Sequence, residues 1–179
     1  MDFTTGQIVV IALRVIVPLA ILRWPLAGTV AALLLDAGDV IIVEWFGPGG
    51  MGAHYHAIDK VLDLWYLGLA AWTATRWDLR VPRLLALGLF GWRVLGVGLF
   101  ELIGWRPLLF IFPNLFENWF LFCLVVWKWF PRVDLSRWKP ALGWLAVLYI
   151  PKLAQEYLLH VAQAQPWDWI KRTIGVGKS

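Results

Sequence analysis

The stretch LLLDAGDVIIVEW, residues 33–45, decides how the chain is read, because it is apolar enough for the interior of a lipid bilayer yet carries Asp36, Asp39 and Glu44. An ionisable side chain at the bilayer centre costs at least about 2.5–3.5 kcal/mol unless it is paired or hydrated. Three carboxylates in one such helix therefore call for cations, protons or water inside the protein.

Outward from this stretch the chain stays apolar. Of 179 residues 60% are hydrophobic and 16% charged, where a soluble domain has about 25% charged residues. Apolar runs of the roughly 20 residues that cross a hydrocarbon core recur along it. They predict an all-α, polytopic membrane bundle of six spans near 6–24, 26–46, 56–75, 83–103, 108–129 and 140–162. Residues 1–162 then form a single transmembrane domain, followed by a basic, Trp-containing tail over 163–179. The leading MDFTTGQ has no positive charge, and Arg14 interrupts the first apolar run, so a cleaved signal is not expected. The net charge of +4 sits in short loops between spans, which fits membrane topology and not a nucleic-acid surface. The single Cys123 excludes an internal disulfide and a paired-cysteine metal motif.

Lys and Arg concentrate in loops 1–2, 3–4 and 5–6 (Arg23; Arg76, Arg80, Arg83; Lys128, Arg132, Arg137, Lys139), which assigns these loops to the cytoplasm and both termini to the outside of a cell membrane. Most of the 14 Trp fall near span ends, among them Trp24, Trp77, Trp105, Trp127, Trp129 and Trp138, as expected of interfacial anchors. Gly28 and Ala32, four apart, and the glycines at 88, 91, 96 and 98 are expected to let helices approach closely.

On this topology the polar residues of all six spans gather in the outer half of the bundle. Spans two and three bring Asp36, Asp39, Asp59 and Asp63. Span four brings Arg93 and Glu101, span five Asn114, Glu117 and Asn118, and span six Lys152, Glu156 and His160. Spacings of three and four residues put each set on one helix face. The spans hold eight acids against four permanent bases, Arg14, Lys60, Arg93 and Lys152, so four negative charges need a counterpart. Bound cations, raised carboxyl pKa values, protonated histidines and deep water are the options. All three histidines, His54, His56 and His160, fall at the same mouth, and imidazole with carboxylate is a ligand set for zinc and other divalent metals. Pro18, Pro113 and Pro151 stand beside Arg14, Asn114 and Lys152 and are expected to kink three helices around a cavity.

Asp36-x-x-Asp39 followed by Asp59-x-x-x-Asp63 in a six-span chain resembles the CDP-alcohol phosphatidyltransferases. The resemblance implies four aspartates that bind divalent metals and a cytidine diphosphate donor. It covers residues 36–63 and departs from that family's pattern at Val40, Val43, Glu44 and Tyr55; that family's site also faces the cytoplasm. No phosphate-cradling Gly-rich loop, Gly-x-Ser-x-Gly or His-Glu-x-x-His is present, and Ser136 and Ser179 are the only serines.

The leading expectation is a membrane enzyme with a metal-assisted or acid–base site acting on a lipid or isoprenoid-type substrate. Asp36, Asp39, Asp59, Asp63 and Glu156 would carry the chemistry. The four aspartates with His54, His56 and His160 would hold a divalent metal, Zn, Mg or Mn, and Arg14, Arg93, Lys152, Asn114 and Glu117 would bind substrate. The rival expectation is a proton- or cation-coupled transporter, and the third a structural subunit of a larger membrane complex. The lipid bilayer is the one partner implied in each case, and nucleic acid in none.

Overall fold

The structure, a computed structural model, describes residues 4–45, 52–105 and 107–157. Every element among these residues is helical: α1 (Thr5–Ile16), a 3-10 segment (Val17–Leu22), α2 (Pro25–Trp45), α3 (Gly52–Ala74), α4 (Arg80–Ile103), α5 (Pro107–Ile111), α6 (Leu115–Trp129) and α7 (Trp138–Glu156). The helices fall on the six apolar segments read from the sequence, with α1 joined to the 3-10 segment and α5 to α6.

Local chemistry sets the boundaries. Thr4 caps α1 in a reciprocal box, accepting from the Gln7 N–H at 3.3 Å while its own N–H donates to Gln7 Oε1 at 3.1 Å. Pro18 cannot donate to the Arg14 carbonyl one turn back, and its ring crowds that carbonyl, so the chain tightens into the 3-10 segment. Pro25 and Pro107 open α2 and α5, where a missing N–H costs nothing. Pro113 interrupts the fifth segment between α5 and α6, whereas Pro151 lies inside α7 without ending it. Gly104, at φ +71°, closes α4 in the left-handed conformation that glycine adopts without strain. Between α6 and α7 the Ser136 hydroxyl and backbone N–H both donate to Asp134 and hold its carboxyl below the usual range.

The main core lies where α3, α4, α6 and α7 meet. Leu67, Ala70, Ala71 and Ala74 of α3 share one core cluster with Phe116, Trp119, Phe120 and Cys123 of α6. Trp77 stacks on Phe120 at 5.2 Å between centroids and meets Trp127 edge-on at 4.7 Å. These two tryptophans are core residues and not interfacial anchors, because the turn after α3 folds Trp77 inward against α6. Trp24, Trp105, Trp129 and Trp138 are exposed, as expected of anchors.

Gly28 lets α2 cross the 3-10 segment so closely that a Cβ there would overlap the backbone of Ala20 and Ile21, and a Cβ on Gly96 would overlap the Phe112 side chain. Gly88, Gly91 and Gly98 meet nothing within 4 Å and serve no close approach. A backbone neighbour cannot rotate away, so Gly28→Val should cost about 1–3 kcal/mol or more. That is roughly 2–4 °C of melting midpoint per kcal/mol for a chain of this size. Gly91→Ala should melt with the unmodified protein in detergent; equal melting of both variants would disprove the close crossing.

Two helical stretches, Thr5–Leu22 and Arg80–Ile103, are long and apolar enough to cross a membrane. In α3 the charges of Asp59, Lys60 and Asp63 interrupt the apolar run, and α6 has 15 residues because Pro113 shortens it.

Candidate functional site

Arg14 is the centre of the site. It stands on α1 one turn before Pro18 and is 4% exposed. Its Nη2 donates to Asp36 at 2.5 Å and Asp63 at 2.6 Å, and its Nη1 to Asp39 at 2.9 Å and to Asp59. The i, i+3 spacing on α2 and the i, i+4 spacing on α3 turn both aspartate pairs towards α1. Val10 of α1 and Val43 of α2 pack together one turn beyond the charges, and Ala32 of α2 belongs to the main core one turn before them. The charged layer thus lies between two apolar layers. Trp65 Nε1 donates to the Val15 carbonyl at 3.1 Å and fixes α3 on α1 at this level.

One guanidinium serves four carboxylates, which leaves a formal charge of −3 when all four ionise. Ligand atoms of Asp36, Asp39 and Asp59 lie within 4.8 Å of one another, close enough to hold a metal ion. At an effective dielectric of about 20, unit charges that far apart repel by on the order of 3 kcal/mol. Two oxygens on opposite sides of a Ca²⁺ ion, each at about 2.4 Å, stand about 4.8 Å apart, so the spread suits a hard cation. A carboxylate has two oxygens, so its bond to Arg14 does not use it up as a ligand. The side chains of Asp36, Asp59 and Asp63 are 39%, 36% and 35% exposed, and that of Asp39 is 8% exposed. Three carboxylates therefore look outward from a layer that Asp39 and Arg14 anchor.

The remaining polar residues fall into neighbouring groups. Arg93 of α4 donates to the Phe112 carbonyl at 3.1 Å and, with Asp59, Asp63 and Lys60, lines a cleft of about 180 Å³ between α3 and α4. Lys60 binds Glu101 at 2.5 Å and lies 4.4 Å above the Phe100 ring. One turn further along the same face of α3, Glu117 accepts from the Tyr66 hydroxyl and from Asn114 Nδ2 at 2.9 Å. Its charged neighbours are Lys152, Arg93 and Asp36, and Lys152 is buried on α7. The Asn118 Oδ1 beside this group has no hydrogen-bond partner among the described residues.

The structure thus brings Arg14 together with all four aspartates, and sets Arg93 beside them across the cleft. Asn114, Glu117 and Lys152 form a second group and do not touch Arg14. His54 and His56 fall near the start of α3 and Glu156 ends α7, but their side chains, and His160 altogether, lie outside the described residues. Sequence reasoning missed Tyr66, whose signal was its register: with Asp59 and Asp63 it forms an i, i+4, i+7 face of α3.

Among the described residues the protein is all-helical, and three of its helices bring four aspartates around one buried guanidinium, three of them close enough to hold a metal ion. Comparison of the chain with protein-family models, curated proteins and solved structures finds no match. The likeness of residues 36–63 to the CDP-alcohol phosphatidyltransferases has no support from these comparisons.

Proposed function

We propose that the chain is a multi-pass membrane protein that binds a divalent cation at Asp36, Asp39 and Asp59 and uses it, with Asp63, in metal-assisted or acid–base chemistry on a lipid or isoprenoid-type substrate. The observation that carries this reading is the trio of carboxylates within 4.8 Å beside a single guanidinium. The four aspartates around Arg14 keep a surplus of three negative charges, and a divalent ion reduces it to one. Carboxylate oxygens are the donors that Mg²⁺, Mn²⁺ and Ca²⁺ prefer. The cation would polarise a substrate oxygen or lower the pKa of a bound water. Asp63, outside the trio but paired to the same guanidinium, is placed to accept a proton, and Arg14 holds the four carboxylates in register.

The membrane part rests on composition, on the two long apolar helices, and on a surface that exposes Leu34, Val61, Leu102 and Ile150 by 66% or more. The loop charges favour an extracytoplasmic site.

Elemental analysis of protein purified in detergent should find about one divalent ion per chain, and chelation should lower its melting midpoint, with recovery on adding Mg²⁺, Mn²⁺ or Ca²⁺. Absence of a stoichiometric ion together with indifference to chelation would remove the metal. A second reading, a cation- or proton-coupled transporter, is favoured by the outward exposure of three of the four carboxylates. It requires flux in proteoliposomes that Asp39→Asn abolishes.

A further inference from the structure

We infer that the cleft between α3 and α4 seats the phosphate of an amphiphile, with Arg93 as its anchor and the hydrocarbon chain left to run out between the two helices. This deepens the proposed function and rests on its cation site.

The cleft has one face of each kind that such a molecule needs. Asp59 belongs both to the cation trio and to the cleft wall, so an anion seated there lies next to the bound ion. Arg93 stands on the opposite helix. Of its five N–H donors one is spent on the Phe112 carbonyl, and no carboxylate lies within 4.0 Å of it among the described residues. A guanidinium fork with donors to spare matches phosphate oxygens bidentately. Lys60 is different: Glu101 and the Phe100 ring already hold its ammonium.

The rest of the wall is Leu64, Leu67, Val97 and Phe100, which offer hydrocarbon and no hydrogen bonds. At about 180 Å³ the space is smaller than the roughly 300 Å³ at which pockets begin to enclose a whole drug-sized ligand. A phosphate and the first few carbons of its chain fit, and a nucleoside diphosphate does not. The rest of the tail then lies outside the cleft. Asp59 and Asp63 repel an anion unless a cation covers them, so the phosphate and the divalent ion bind together.

The test is calorimetric titration of the full chain, in neutral phosphatidylcholine nanodiscs, with dodecyl phosphate, inorganic phosphate and cytidine diphosphate, each with Mg²⁺ and with chelator. Dodecyl phosphate should bind at least tenfold more tightly than either of the others, and only with Mg²⁺. Arg93→Gln should weaken it at least tenfold, Arg93→Lys less, and neither should alter Mg²⁺ binding measured without phosphate. Because Arg93 also ties α4 to Phe112, Leu64→Trp, which fills the cleft from α3 and leaves Arg93 in place, should weaken binding as well. Dodecyl phosphate binding that ignores both Arg93 and Leu64 changes, or inorganic phosphate or cytidine diphosphate binding as well as the amphiphile, overturns the inference. Arg93-dependent binding that survives chelation would keep the phosphate seat and refute the cation reading instead.

Discussion

Arg14→Met should be the most damaging single substitution in the chain. It removes the one guanidinium bonded to four carboxylates, the buried Asp39 among them. Breaking a buried ion pair from one side costs about 3–5 kcal/mol, because the remaining charge stays desolvated. For a chain of this length that is a fall of about 6–20 °C in melting midpoint, readable by circular dichroism in detergent. Arg14→Lys should fall between, since an ammonium keeps the charge but loses the planar fork that reaches two aspartates from each nitrogen. Adding Asp39→Asn to Arg14→Met should recover part of the loss, because Asp39 is the least exposed of the four and its charge the most desolvated. Millimolar divalent cation should do the same by another route, standing in for the guanidinium. A melting midpoint for Arg14→Met within 2 °C of the unmodified protein, as a rough threshold, would mean the four carboxylates do not need Arg14.

The sequence reveals this site better than it reveals its surroundings. A charge inside an apolar helix is costly wherever it points, so Asp36, Asp39, Asp59, Asp63 and Arg14 declare themselves as a group before any geometry is known. The pairing is less legible. Lys60 and Arg93 count among the four bases of the spans just as Arg14 does, yet Lys60 turns to Glu101 and Arg93 to the Phe112 carbonyl. Which rotamer wins depends on the facing helix, and no spacing rule within one helix contains that. The same holds for tryptophan. A ring near a span end reads as an anchor, but Trp77 folds inward because Phe120 and Trp127 offer it a stacking site. Helix positions were legible because the apolar runs and prolines are local signals, whereas the different effects of Pro18, Pro113 and Pro151 depend on what packs against each.

Asp36→Asn combined with Asp59→Asn should separate cation binding from folding, with effects of opposite sign to those of Arg14→Met. The two changes remove two of the three carboxylates of the candidate metal trio and keep the buried Arg14–Asp39 pair. Loss of partners that merely orient metal ligands costs about 10–100-fold in affinity, so loss of two ligands should weaken divalent binding by at least about 100-fold in calorimetric titration. Stability measured in chelator should hold or rise, because the formal charge around Arg14 falls from −3 to −1 and asparagine keeps both the size and an oxygen for the guanidinium. Repulsion on the order of 3 kcal/mol between neighbouring carboxylates is relieved in the same step. Stabilisation by added Mg²⁺ or Mn²⁺ should disappear. The alternative in which the charges form a purely structural network predicts the reverse pattern. There the double variant would melt lower than the parent protein, and added cations would change neither of them.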